Sequence, residues 1–224
     1  MKDNASAFDA TAYDREIRRT LPYYDDLYAQ VTDLVNALGR PQLHWLDAGC
    51  GTGKAAECAL TSCDVARMVL CDPSVKMLRL AAENLAAYAD RTECWNMPIQ
   101  EMHAEGAFDV ITSIQVSHYL HREERALAVA NCYYALKPGG LFVTFENMAP
   151  HSETGVQLAL KRWQSYQVKQ GKPPAEVRAH IARYGAAYFP ITLEEHLALL
   201  RSCGFRTVEP FWLSYLQLGL FGIK

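Results

Sequence analysis

The chain has 224 residues, 50% of them hydrophobic and 21% charged, which suits one globular domain with an appendage rather than two independent cores. A formal net charge of −3 excludes a polybasic nucleic-acid binder, and no apolar run is long enough to cross a bilayer. The seven cysteines form no Cys-x-x-Cys pair, so reduced thiols in a cytoplasmic protein, and no metal site, are expected.

The opening residues, MKDNASAFDATAYDRE, are polar and acidic and do not read as a signal peptide. The first forty residues are helical and mixed in polarity. From Leu43 the chain alternates strand-like runs with helical periods. LHWLDA is a short apolar run that ends at a cluster of glycines. Residues 54–60 read as a helix, and residues 66–72 as a second strand. Ser74 is placed to cap a helix, SVKMLRLAAENLAAYA, whose apolar residues share one face. TECW is a weak third strand. FDVITSI is a fourth, and its continuous apolar core implies burial on both faces. Residues 122–136 form an amphipathic helix stopped by KPGG, and LFVTFEN is the fifth strand.

The rhythm breaks at 151–190, where helical stretches at 156–170 and 175–189 flank GKPP; such an insertion lies over the end of a sheet. Thr192 and Glu195 form a capping box, and Gly204 ends that helix. FRTVEPFWLS and YLQLGLFGIK then pair as an antiparallel hairpin at the sheet edge, an apolar edge that leaves a homodimer open. The expected fold is α/β: a Rossmann-like, doubly wound, mostly parallel sheet of seven strands with an antiparallel C-terminal hairpin. The expected organisation is a single domain over 1–224, with a helical lid at 1–40 and the insertion at 151–190 contributing to an acceptor site.

The stretch LDAGCGTG carries the chemistry. A strand that ends in glycines and opens a helix aims backbone N–H groups at the carboxyl edge of a parallel sheet, where doubly wound folds bind ligands. Gly49, Gly51 and Gly53 let the main chain bend and let a ligand approach closely. Asp72 ends the second strand about twenty residues later, where a carboxylate reaches the ribose of a nucleoside. The loop is neither the GxGxxG of dinucleotide binders nor a GK[ST] phosphate loop.

Together LDAGCGTG, LCDPSVKML, PIQEM, FDVITSIQVSHYL, LKPGGLFV and the closing hairpin resemble the class I S-adenosylmethionine (SAM)-dependent methyltransferases from Leu43 to Lys224. The resemblance implies SAM as cofactor and S-adenosylhomocysteine (SAH) as product. It implies that Asp47 and the loop Gly49, Cys50, Gly51, Thr52 and Gly53 face the methionine portion, that Asp72 binds the ribose, and that Pro73 and Met77 lie beside the adenine. Met97, Ile99 and Gln100 would border the adenine ring, where many relatives carry an acid and this chain does not. Gln115 would lie near the methionine carboxylate or the sulfonium.

The opening segment also resembles the lid of the branch that includes carboxy-SAM synthases and wobble-uridine tRNA methyltransferases. There Tyr13, and Arg18 aligned on Pro22, are candidates for the cofactor carboxylate. The glycine loop and SIQVSHYL depart from the synthase patterns and favour methyl donation. His118 is the candidate general base, because histidine titrates near neutrality. Tyr119, Trp163, Arg183, Tyr184 and Tyr188 are candidates for an acceptor pocket that suits a small, nucleobase-like or anionic molecule; the charge does not support tRNA. The readings left open are a SAM-dependent methyltransferase, a carboxy-SAM synthase-like enzyme linked to tRNA wobble-uridine modification, and a non-catalytic SAM-binding module.

Overall fold

The computed structural model describes residues 6–224. One seven-stranded sheet has the order β3-β2-β1-β4-β5-β7-β6. Its strands are β1 (Leu43–Ala48), β2 (Val65–Cys71), β3 (Thr92–Trp95), β4 (Phe108–Ile114), β5 (Leu136–Asn147), β6 (Thr207–Ser214) and β7 (Gln217–Ile223). The first five pair in parallel, and β7 pairs antiparallel to both β5 and β6. Strand order therefore reverses between β1 and β4, and the loops after these two strands open a crevice at their carboxyl ends.

Successive side chains alternate across the sheet and build two cores. Trp45, Met68, Leu70, Val110, Val143 and Phe145 lie on the face covered by α2 (Tyr24–Asn36) and α3 (Lys54–Ser62). Leu46, Val69, Cys71, Ile111 and Phe142 lie on the face covered by α5 (Arg122–Ala135) and α8 (Leu193–Ser202). The remaining helices are α1 (Tyr13–Arg18), α4 (Val75–Asn84), α6 (Glu153–Lys169) and α7 (Pro174–Ile181).

Four expected boundaries shift. The helix after Ser74 stops at Asn84, because Leu85 leaves helical dihedrals and the chain tightens into a 3-10 turn at Ala86–Arg91. The fifth strand begins at Leu136 rather than Leu141: residues 137–140 bulge from the β4 register, and Gly139 and Gly140 exchange backbone bonds with Lys224 at the end of the chain. The second insertion helix ends at Ile181, after which three backbone N–H groups converge on the Arg183 carbonyl and fold residues 182–189 back on themselves. The N-terminal helical segment is broken between α1 and α2, where Tyr23 takes a left-handed φ of 58°.

The N-terminal segment is clasped to the insertion. The Trp163 indole N–H donates to the Thr20 carbonyl at 2.6 Å, and Lys172 Nζ donates to Thr20 Oγ1 at 2.8 Å. Arg19 donates to the carbonyls of Gln170 and Gly171. Trp163 is buried, so its N–H has no access to water as a substitute partner. Trp163→Phe keeps the ring but orphans the Thr20 carbonyl. It should cost about 1–3 kcal/mol, read as a lower Tm with faster amide exchange through α1; unchanged exchange there would show that the clasp does not hold the segment.

Candidate functional site

The turn after β1 is tied to the end of β2. The N–H groups of Gly49 and Cys50 both donate to the Cys71 carbonyl. Gly49 has φ +81°, and a Cβ there would fall 2.4 Å from Val116, so the turn after β4 closes down on this glycine. Asp72 joins the pieces: Oδ2 accepts from Gly51 N at 2.9 Å and Oδ1 from Ser74 N at 2.8 Å. Ser74 caps α4 through Met77 N, as expected. One buried carboxylate thus fixes both the glycine loop and the entry into α4.

A cleft of about 280 Å³ opens at this point. Gly49, Gly51 and Asp72 form one side, with Pro73, Met77, Pro98, Ile99 and Gln100 beyond them; Gln115, Val116 and Tyr119 lie on the β4 side. Its volume is near the low end of the roughly 300–1,000 Å³ of small-molecule sites. Asn96 does not line it; its side-chain amide donates to the Asp72 and Pro73 carbonyls and holds their turn. Met97 also lies outside the lining, partly buried against the core on that face of the sheet.

Two small cavities of about 20 Å³ each adjoin the cleft. The first is bounded by Tyr13, Tyr24, Tyr28, Asp47 and the loop from Gly49 to Thr52. Asp47 is 1% exposed; its Oδ1 accepts from Thr112 Oγ1 at 2.8 Å, and Oδ2 has no hydrogen-bond partner. Burial pushes its carboxyl up to about 7, against the Thr112 hydrogen bond that lowers it. Cys50, in the same wall, is buried, and desolvation raises its thiol well above the ordinary range, which makes it a poor nucleophile. Thr52 Oγ1 donates to Asp14 Oδ1 at 2.7 Å, tying α1 to the loop. Gly53 faces Ala81 and Leu85 rather than the cleft, at the start of α3.

The second cavity lies behind Tyr13, Gln115 and Tyr119, which it shares with the cleft, and reaches His118, Asn147, Trp163, His180 and Tyr188. Gln115 has a left-handed φ of 61°; its amide donates to Gln217 Oε1 at 2.6 Å, and Gln217 donates in turn to Asn147 Oδ1. His118 is 2% exposed, and its Nδ1 lies 2.7 Å from Glu146 Oε2. Burial holds His180 neutral, with its pKa lowered to about 3, helped by Lys172 and Arg183. Arg183 donates from Nε to the Tyr188 hydroxyl at 2.9 Å, its guanidinium over the Tyr188 ring.

The candidates from the sequence therefore divide. Tyr13, the glycine turn, Asp72, Pro73, Met77, Ile99, Gln100, Gln115 and Tyr119 converge on the cleft, and His118, Trp163 and Tyr188 on the cavity behind it. Arg18 is a correction: it pairs with Asp25 at 3.1 Å and donates to the Asp14 carbonyl, so its guanidinium is spent on α1 and α2 and lines none of these spaces. Tyr184 also lies outside them, half-buried where the chain turns back toward Tyr188. Sequence reasoning missed Pro98, Val116, Leu120 and Glu146. Glu146 alone had a signal, as an acid closing an apolar strand in the manner of Asp47 and Asp72.

These groups fit the cofactor that the resemblance implies. Asp47 Oδ2 lacks a donor that an ammonium group would supply, and a side chain at Gly49 would collide with the wall that shapes the cleft. Among the described residues no cluster of His, Cys, Asp and Glu could hold a metal ion, and no helix is long and apolar enough to cross a membrane.

A family model described as a methyltransferase domain matches residues 46–140. The carboxy-S-adenosyl-L-methionine synthase of Shewanella sp. strain MR-7 is 30% identical over 141 residues, 59% of this chain and 56% of that protein, so the chain matches little more than half of that relative's length. The synthase of Shewanella sediminis is 25% identical over 221 residues, covering 96% of this chain and 90% of its own. Among solved structures, the Burkholderia thailandensis 1,6-didemethyltoxoflavin-N1-methyltransferase, crystallised with 1,6-didemethyltoxoflavin and SAH, superposes with a TM-score of 0.64 at 18% identity, over 99% of this chain and 92% of that one. Residues 46–140 thus match a methyltransferase domain, and the seven-stranded sheet with its antiparallel terminal hairpin is the fold that the chain shares with that solved methyltransferase.

Proposed function

We propose that the cleft binds SAM and that the chain transfers its methyl group to a small acceptor entering behind Tyr119, where the N-terminal segment and the insertion must part to widen the cavity of about 20 Å³. The observation that supports this best is the single cleft with Asp72 and the glycine turn on one side and an apolar plate of Pro73, Met77, Pro98 and Ile99 beside them. In this reading Asp72, which already accepts from Gly51 and Ser74, also accepts the ribose hydroxyls at the rim of the cleft. The plate packs on the adenine, and Gln100 offers its amide at the ring edge. The amino group enters the recess at Asp47 and meets the orphaned Oδ2.

SAM when bound supplies an electrophilic methyl carbon that already carries its leaving group. The protein's share is alignment and exclusion of water. Tyr13 borders the cleft and both cavities, and burial keeps its phenol protonated, so it separates the compartments as a neutral donor. The insertion and the N-terminal segment, clasped through Trp163 and Lys172, close the acceptor side from solvent.

A carboxy-SAM synthase-like reaction is the second reading, favoured by the name that relatives bear along nearly the whole chain. The two readings share the SAM site and differ in what occupies it after turnover. Mass spectrometry of ligand retained on the purified protein distinguishes SAM or SAH from a cofactor heavier by one carboxyl group.

Calorimetry with SAH tests the shared part. Asp72→Ala removes charge-assisted hydrogen bonds of about 1.5–3 kcal/mol, so affinity should fall by roughly 10- to 150-fold. A wild-type protein that binds neither SAM nor SAH would sink both readings.

Asp47 gives a pH signature. Its folded pKa of about 7 lies above an unfolded value of roughly 3.9, so the native state binds more protons than the unfolded state between these values. Stability of the ligand-free protein should therefore fall as pH rises from 4 to 7, and the penalty should be complete above 7. Asp47→Asn should flatten that slope and be more stable than wild type at pH 8, measured by urea unfolding at both ends. SAM affinity of the wild type should rise over the same interval, since an ammonium group prefers the ionised carboxylate. Parallel slopes in wild type and variant would show that Asp47 is already charged in the free protein.

A further inference from the structure

The turn after β4 is held by a carboxylate from β5. Glu146 is 1% exposed and accepts at both oxygens. Oε1 takes Ser117 N at 3.0 Å and Thr144 Oγ1 at 2.9 Å; Oε2 takes His118 N at 3.0 Å and faces His118 Nδ1 at 2.7 Å. Burial alone would raise this carboxyl, but the His118 contact and the Ser117 N–H pull it below the ordinary range, so it is an acceptor at every oxygen. A carboxylate 2.7 Å from Nδ1 places a proton on Nδ1, so in the neutral imidazole it is Nε2 that carries the lone pair. Nε2 has no hydrogen-bond partner among the described residues, and His118 borders the cavity that shares Tyr13, Gln115 and Tyr119 with the cleft.

The imidazole cannot turn. Tyr119 and Tyr188 pack against its ring at 4.4 and 5.7 Å, and its own carbonyl accepts from Phe189 N. Arg125, buried on α5, donates to the carbonyls of Ser117, Leu120 and Phe189 and pins both segments. The charged and titratable groups facing this pair are Glu146 from β5, Arg125 from α5, His196 from α8, and Tyr119 and Tyr188. Burial holds His196 neutral, with its pKa lowered to about 4, which leaves Glu146 as the one anion against His118.

We propose that Glu146 is a positioning residue that fixes His118 as general base, and that the acceptor is a hydroxyl or N–H compound that must lose a proton when methylated. This rests on the methyl-transfer reading. The acceptor's O–H or N–H proton passes to His118 Nε2 while its lone pair forms the bond to the methyl carbon. The carbon–sulfur bond breaks with its electron pair going to sulfur, leaving SAH, and the imidazolium, stabilised by Glu146, later returns its proton to water. A carboxylate or thiolate acceptor, ionised already, would need none of this.

The test combines a tautomer measurement with turnover. Nitrogen-15 NMR of histidine-labelled wild-type protein with SAH should show His118 protonated at Nδ1 and bare at Nε2 at neutral pH. An Nε2–H tautomer would overturn the proposal, because that nitrogen could not take a proton. Turnover is read with methyl-labelled SAM on substituted phenols of graded acidity and on a small-molecule cell extract. His118→Gln and Glu146→Gln should each lower kcat by about 100- to 10,000-fold, and His118→Gln should leave SAH affinity unchanged. The loss should shrink as the phenol becomes more acidic or the pH is raised, a rescue that a folding defect would not give. Variants as fast as wild type would remove the base and leave methyl transfer standing. A wild type that binds SAH but labels no hydroxyl or N–H compound would remove methyl transfer and the base together. If Glu146→Gln fails to bind SAH, His118→Gln and the wild-type tautomer decide.

Discussion

A carboxylate buried at the end of a strand must find donors, and in a parallel sheet the nearest ones are the backbone N–H groups of the next loop. Asp72 takes Gly51 N and Ser74 N, and Glu146 takes Ser117 N and His118 N. Each acid therefore sets the shape of the turn beside it, because a carboxylate left dry without donors costs several kcal/mol. The cleft walls follow from these bonds. The glycine turn bends as Asp72 and the Cys71 carbonyl require, and the turn after β4 bends as Glu146 requires. Asp47 obeys the rule only by half: Thr112 satisfies one oxygen and nothing satisfies the other. That exception sits in the recess beside the glycines, where a bound ammonium group would complete it.

The second constraint is the closure of the cavity behind Tyr119. The N-terminal segment and the insertion lie far apart in sequence yet share Thr20, which accepts from Trp163 at its carbonyl and from Lys172 at its hydroxyl. Lys172 Nζ also lies 4.5 Å from the Phe8 ring centroid and 3.6 Å from Glu16 Oε2. Two buried hydrogen bonds on one residue make the two segments move as a unit. Thr20 and Trp163 both border the cavity, so these bonds form part of its wall.

Much of the fold was legible because its signals are local. Apolar runs of strand length, Ser74 and Thr192 as caps, and glycines at the ends of elements each act within a few residues. Where boundaries moved, a distant partner had intervened. The bulge at 137–140 exists because Lys224 pairs with Gly139 and Gly140, and no window around KPGG contains Lys224. The site was legible to the extent that it sits on those motifs. Asp72 and the glycines lie at strand ends, and the sheet carries strand ends to one edge. Arg18 went the other way. A guanidinium near the cofactor segment was a sound candidate, but Asp25, seven residues on in the first turn of α2, claims it.

By itself the sequence determined the order of elements, the doubly wound sheet, a ligand site at its carboxyl edge, and the pairing of a glycine turn with Asp72. All of these follow from periodicity, strand-end glycines and the handedness of parallel crossovers. Only the tertiary structure decided what each polar side chain does. It made Arg18 a helix clamp, set Tyr13 between the cleft and both cavities, left one oxygen of Asp47 bare, and put Glu146 behind His118, 28 residues away in sequence. The reason is that a hydrogen bond depends on separations of about 3 Å in space, and across a parallel sheet those separations join residues that the chain itself keeps far apart.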